Sequence, residues 1–186
     1  MSDPGTTSLA EGPTGPARPF SQRLLGALRL DASVYEEVEH DPSALGQAAG
    51  VIALGALAQG LGALGWGGIG ALVGAVVMAF VSWLFSTAIV WAIGVKAMGH
   101  TSDYPELLRT LGFASAPNIL LALGVLPIGP LRGILFFAVG IVTLIAWVLA
   151  VRQALDVTTG RAVLVCILAV GVAMLLAVIL GRGAVG

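Results

Sequence analysis

The sequence predicts an all-α fold: a polytopic membrane helix bundle of five transmembrane helices, preceded by a short amphipathic helix. Composition is the first reason. Of 186 residues, 58% are hydrophobic and 10% charged, whereas soluble domains average roughly 45–50% apolar and about 25% charged. Nine basic and ten acidic side chains cannot cover the surface of a soluble domain this long. The second reason is that the apolar residues fall into five runs whose lengths approach the roughly 20 residues that cross a hydrocarbon core of about 30 Å. The third is that Lys and Arg sort unevenly between the segments joining those runs, which is the mark of an oriented membrane protein. A net charge of −1 offers no basic face for nucleic acid.

Residues 1–20 are rich in Pro, Gly and small polar residues and are expected to form a disordered tail. Residues 21–42 form an interfacial, cytoplasmic segment. Leu24, Leu25 and Leu28 share a helical face flanked by Arg23 and Arg29. Ser33 and Glu36 have capping-box spacing ahead of Tyr35 and Val38. Such a helix lies on the membrane surface or packs against the protein's own loops. Glu36, Glu37, Glu39, His40 and Asp41 have no metal-ligand spacing and are read as a solvated acidic face.

The membrane domain covers residues 43–182. Its first span, 44–64, follows Ser43 as a cap and is rich in Gly. Gly65-Trp66-Gly67-Gly68 then turns the chain into a long second span, 69–95, which must tilt, bend or protrude and stops at Lys96. Asp103 and Glu106 form a capping box that starts a helix through Leu107, Leu108 and Leu111. The third span, 107–126, is broken at Pro117-Asn118 and crosses only with that helix contributing its last turns. The fourth, 133–151, is bracketed by Arg132 and Arg152. The fifth, 162–181, ends at Arg182.

Five spans put the termini on opposite sides. Arg18, Arg23, Arg29, Lys96, Arg109, Arg152 and Arg161 lie on one side, with Arg132 and Arg182 on the other. Positive charge concentrates in the cytoplasm. The expectation is a multi-pass protein of the cell membrane with its N-terminus cytoplasmic and its C-terminus outside.

No ionisable residue lies within the apolar runs themselves, the third run being counted from Phe113, past Arg109. The polar residues at depth are Gln59, Ser82, Ser86, Thr87, Asn118 and Thr143. Hydrogen bonding between helices is one role for them. A polar path for a neutral solute is another, and for that role Asn118 beside Pro117, with Ser82 and Ser86, is the candidate site. Small residues recur at four-residue intervals (Ala169, Ala173, Ala177, Gly181), which suits close helix packing or homo-oligomerisation. Cys166 is a small hydrophobe in an apolar run. No phosphate loop, serine-hydrolase elbow or zinc motif is present. The sequence therefore points to no catalytic residue, no metal and no cofactor, and to a protein that is not an enzyme.

The segment Asp103-Tyr-Pro-Glu-Leu-Leu-Arg109-Thr-Leu-Gly112-Phe-Ala-Ser-Ala-Pro117 resembles the Yip family of Ypt/Rab-interacting membrane proteins. The loop from Arg152 to Arg161 leading into Ala162-Val-Leu, and the upstream Leu30-Asp31-Ala-Ser-Val-Tyr35-Glu-Glu followed by Asp41-Pro42, resemble its prokaryotic members. The likeness covers roughly residues 24–181 and marks Asp31, Tyr35, Arg109 and Gly112 as family-like positions. It implies a five-span bundle with a cytoplasmic N-terminus. Eukaryotic members bind prenylated Rab-type GTPases. Their Asp-Leu-Tyr-Gly-Pro motif is missing here, because Asp31 and Tyr35 stand too far apart to supply it, so GTPase binding is not carried over. Two functions remain. One is a non-enzymatic membrane protein that organises or partners other membrane components, itself included as a homo-oligomer. The other is a small-solute or lipid transporter using the broken third span.

Overall fold

The computed structural model describes residues 17–126 and 129–183, without the side chains of 62–67, 177 and 179–183. The expected tail therefore falls, for residues 1–16, outside the described residues. The elements are α1 (Phe20–Leu28), α2 (Ala32–His40), α3 (Ala44–Trp91) with a π-helical extension (Ala92–Ala97), α4 (Tyr104–Ala114) continued by a 3₁₀ segment (Ala116–Val125), α5 (Leu131–Ala154) and α6 (Thr159–Gly183). No strand occurs among the described residues. Five stretches are long and apolar enough to cross a membrane: Ala44–Leu61, Gly68–Ala97, Tyr104–Val125, Leu131–Ala154 and Thr159–Leu176.

The two short helices are joined by a tight turn. Asp31 N–H donates to Gly26 O at 3.0 Å and Leu30 N–H to Ala27 O at 3.1 Å, with Leu30 at φ 60°. This is the bond pair that ends a helix through a left-handed residue. The cap of α2 differs from the sequence expectation. Asp31, not Ser33, closes its N-terminus, accepting from Ser33 N–H at 3.0 Å and Ser33 Oγ at 2.8 Å. A carboxylate two residues ahead reaches the orphan amide directly, and the Ser33 hydroxyl is spent on holding that carboxylate. The same exchange occurs before α3, where Asp41 accepts from Ser43 N–H at 2.9 Å and the Ser43 side chain makes no cap bond.

The first two spans are the halves of α3, folded back on each other at Gly68. Its φ of 58° and ψ of −155° lie where a Cβ is strongly disfavoured. Gly60 on the first half lies against Leu72 on the second, as antiparallel halves require.

In the third span, Asp103 accepts from Glu106 N–H at 2.7 Å while the Glu106 side chain accepts from Asp103 N–H at 2.8 Å. This is the expected capping box. Pro117 cannot donate, and the chain tightens into 3₁₀ geometry from Ala116. With about 1.5 Å of rise per α residue and about 2.0 Å per 3₁₀ residue, the two segments together reach roughly 36 Å. The third span is the most buried of the five and the second span the most exposed. Third-span residues pack between α3 and α5. The lipid-facing surfaces carry the large apolar side chains, with Ile69, Phe137 and Met174 among the most exposed.

α2 is docked on the bundle through Val34, Tyr35 and Val38, which join Leu107, Leu111 and Phe113 of α4 and Val151 of α5 in one buried cluster.

Candidate functional site

Two constellations hold the polar and charged side chains that matter, one at the α1–α2 end of the bundle and one at membrane depth.

At the α1–α2 end, two arginines fasten the short helices to the spans. Arg109 is buried, and its Nε donates to Val38 O at 3.0 Å and to Glu39 O at 3.1 Å, with Nη2 also donating to Glu39 O. These are terminal carbonyls of α2 that have no partner within the helix. A guanidinium at a helix C-terminus also meets the negative end of its dipole. Gly112, one turn on, is the point where α4 meets α3. A Cβ built there would stand 2.7 Å from Ala48 Cβ and 3.2 Å from the Trp83 ring. Arg109 and Gly112, two of the four family-like residues, therefore hold α4 between α2 and α3.

Arg23 has a role the sequence did not reveal. Rather than flanking an apolar face, it is 1% exposed. It reaches Asp41 Oδ2 at 2.5 Å, Glu37 Oε1 at 2.9 Å and Gln47 Oε1 at 3.1 Å. Burial works against its charge, and Asp41 and Glu37 more than offset this, so its pKa is raised. Arg18 adds a contact to Glu37 at 3.1 Å. The acidic run is thus only partly a solvated face. Glu37 lies on α2 and Asp41 just past its end, and only the packing of α1 against α2 and α3 brings Arg23 to both. Ser43 hydroxyl and Arg23 together hold the Asp41 carboxyl below its usual range.

Asp31 stays at the exposed start of α2, and Ser33 holds its pKa down. Tyr35 is fully buried, donates from its hydroxyl to Ala27 O at 3.3 Å, and has its pKa raised by burial. Glu39 is 8% exposed, and burial pushes its carboxyl up to about 7. Among the described residues, no three His, Cys, Asp or Glu side chains come together to hold a metal ion.

At depth, the bundle contains a cleft of about 790 Å³ bounded by both halves of α3, the 3₁₀ segment, α5 and α6. It brings Asn118, Ser82 and Ser86 onto one surface with Gln59, Ser115 and Thr143, among apolar neighbours that include Ile52, Met78 and Trp147. Pro117 is buried behind Asn118 and does not line it. A second cleft of about 590 Å³ shares Asn118, Thr143 and Trp147 with the first and opens past Phe136 and Phe137.

Several of these hydroxyls serve their own helices. Ser86 Oγ donates to Ser82 O at 2.5 Å, Ser115 Oγ to Leu111 O at 3.1 Å, and Thr143 Oγ1 to Val139 O at 2.8 Å. Thr143 has one proton, so its 3.5 Å contact with Asn118 Oδ1 is marginal beside the bond to Val139. The Asn118 amide therefore keeps hydrogen-bonding capacity toward the clefts. Trp83, which lines the wall, points its Nε1–H away to Leu108 O at 3.2 Å. Among the described residues, the cleft lining combines amide, hydroxyl and indole groups with no carboxylate, imidazole or amine. Such a surface can bind and orient a neutral group but supplies no general acid or base.

Against known proteins, the family model described as the Yip1 domain matches residues 32–181. No curated protein and no solved structure matches the chain. The matched region contains α2, all five spans, Arg109 and the cleft at depth, while Arg18, Arg23 and Asp31 precede it.

Proposed function

The chain belongs to the Yip1 domain family, and from that premise we propose that it is a non-enzymatic, multi-pass membrane protein that acts by engaging other membrane components. One observation carries this reading: its intramembrane cleft offers neutral hydrogen-bonding groups on an apolar wall, with no ionisable side chain among the described residues that line it. That surface is built for holding. At the α1–α2 end, Arg23, Glu37, Asp41 and Arg109 are used in fastening α1, α2 and α4 together. The seven-to-two sorting of Lys and Arg supports placing that end in the cytoplasm and the C-terminus on the opposite face of the cell membrane.

The test is extraction of the full chain from native membranes in polymer-bounded discs. The reading expects an oligomer, or a protein or lipid enriched well above its share of the bulk membrane. Monomers surrounded by lipid of bulk composition would remove its basis.

A second reading, transport of a small neutral solute or lipid, is favoured by the position of Asn118 beside the Pro117 break and inside both clefts. Proteoliposome flux that Asn118→Leu abolishes would support it; flux indifferent to that change would count against the site.

A further inference from the structure

We propose that the paired clefts form a binding site for a neutral amphiphile dissolved in the bilayer, an oxygen-bearing group on a hydrocarbon body, with Asn118 as its polar anchor. The proposal deepens the reading of the cleft as a recognition surface and rests on it. Four features of the structure converge.

The first is charge. Ser86 lies ten residues before Lys96, through the end of α3 and its π-helical extension, and ten residues at an α-helical rise would span about 15 Å. Helix rise puts Thr143 about 13 Å from Arg152 along α5. Both distances are near half the hydrocarbon thickness of roughly 30 Å. At that depth an ionised ligand lacking a counter-charge would meet a severe desolvation cost. The described lining residues supply no counter-charge.

The second is hydrogen bonding. The Asn118 amide is half-buried, and its side-chain contact to Thr143 is the marginal one described above. An amide at membrane depth gains from any carbonyl or hydroxyl that meets it, since no bulk water competes. Gln59 and Ser82 line the same cleft.

The third is the route. The cleft mouths are bounded by lipid-facing side chains: Met78 and Phe85 on α3, and Phe137 and Leu144 on α5, all exposed on the outside of the bundle. Toward the α1–α2 end, Ala48, Leu111 and Phe113 are fully buried and Trp83 nearly so, with Gly112 closed on Ala48 and Trp83. That layer shuts the cleft from the solvent at this end. The mouths between these lipid-facing side chains give a ligand dissolved in lipid a sideways route to Asn118.

The fourth is size. Cavities of about 790 and 590 Å³ that share Asn118, Thr143 and Trp147 lie within the range of roughly 300–1,000 Å³ that holds small organic ligands. A polar head at Asn118 can send its hydrocarbon body along either branch.

The experiment uses the full chain in lipid nanodiscs and three diazirine-bearing probes: hexadecanol, hexadecyl phosphate with the same chain, and butanol with the same hydroxyl. The expected result is saturable labelling of peptides spanning 78–86 and 115–144 by the hexadecanol probe, competed by unlabelled hexadecanol. Loss of one neutral hydrogen bond in Asn118→Leu should weaken half-saturation about three- to tenfold. Ala79→Phe, which fills the cleft from α3, should suppress labelling with the amide intact, so the outcome does not hinge on one variant folding. Equal saturable labelling by the phosphate probe would overturn the claim of neutrality. Saturable labelling by butanol alone would replace the lipid with an aqueous solute. Non-saturable labelling spread over all lipid-facing helices would overturn the site itself. If the hexadecanol probe fails while native discs still retain an enriched protein partner, this ligand assignment falls and the proposed function stands. If both fail, the function falls with it.

Discussion

Removing the Arg109 side chain isolates what holds α2 to the membrane domain. In Arg109→Ala, Val38 O and Glu39 O lose their donors while remaining beneath the packed α2–α4 surface. A hydrogen bond to a charged group contributes roughly 1.5–3 kcal/mol, and a buried carbonyl left unpaired costs about 1–3 kcal/mol. These losses overlap at neighbouring carbonyls and are partly relieved by water reaching the helix end, so the docking of α2 should weaken by about 3 kcal/mol, or roughly 100-fold. Val34, Tyr35 and Val38 remain as apolar contacts, so α2 should open without the bundle unfolding. Hydrogen exchange in native-like discs reads this directly. Amides of Ala32–His40 should exchange roughly 100-fold faster, and those of α3 and α5 should be unchanged. Arg109→Lys retains the charge but not the forked geometry and should fall between the two. Unaltered protection of α2 in Arg109→Ala would refute the reasoning, and so would uniform loss of protection across the spans.

Three further outcomes follow from the same structure. Gly112→Leu forces side-chain volume onto Ala48 Cβ and Trp83; overpacking should cost about 1–3 kcal/mol, seen as a lowered unfolding temperature in detergent, with Gly112→Ala milder. Glu39 is raised from 4.5 to about 7, mainly by burial, with Asp156, Glu106 and Glu36 adding to the rise and His40 opposing it. Its neutral form therefore favours the folded state, that contribution is complete below pH 4.5, and it is lost as pH climbs through 7. The loss is at most about 3 kcal/mol, so α2 protection should fall between pH 5 and pH 8.5, and Glu39→Gln should flatten that profile. Gly68→Val places a branched side chain at φ 58° and should cost about 1–3 kcal/mol, reducing the yield of folded protein, whereas Gly70→Val, where a Cβ meets open space, should be tolerated.

How far the fold could be read from the sequence depended on which solvent each residue faced. Lipid-facing segments had to be continuously apolar, so the second, fourth and fifth spans stood out. The third span is interrupted by Pro117 and Asn118, and it is the one most enclosed by protein. A helix surrounded by other helices need not be oily throughout, and its break is tolerated because it faces protein and a cleft. The capping box at Asp103 and Glu106 was legible because both partners lie within one turn. The latch of Arg23 onto Glu37, Asp41 and Gln47 was not, since it joins three helices and only their packing reveals it. Asp31 and Asp41 displaced Ser33 and Ser43 as the groups that take the helix-start amides, because a carboxylate accepts more strongly than a hydroxyl. The turn ending at Gly68 was legible, and Asn118, Ser82 and Ser86 could be grouped as one site. That Gln59, Ser115 and Thr143 share their cleft, and that Pro117 does not line it, required the packing of α3, the 3₁₀ segment and α5.

The most direct test of the membrane account is side-specific thiol labelling of single-cysteine variants in a Cys166→Ala background. Cysteines at Thr101, Gly129 and Thr158 sample the segments after the second, third and fourth spans. The account predicts that an impermeant maleimide reaches Thr101→Cys and Thr158→Cys from the cytoplasmic face alone, and Gly129→Cys from the opposite face alone. Finding all three on one face would mean that the third and fourth spans do not cross, and would contradict it.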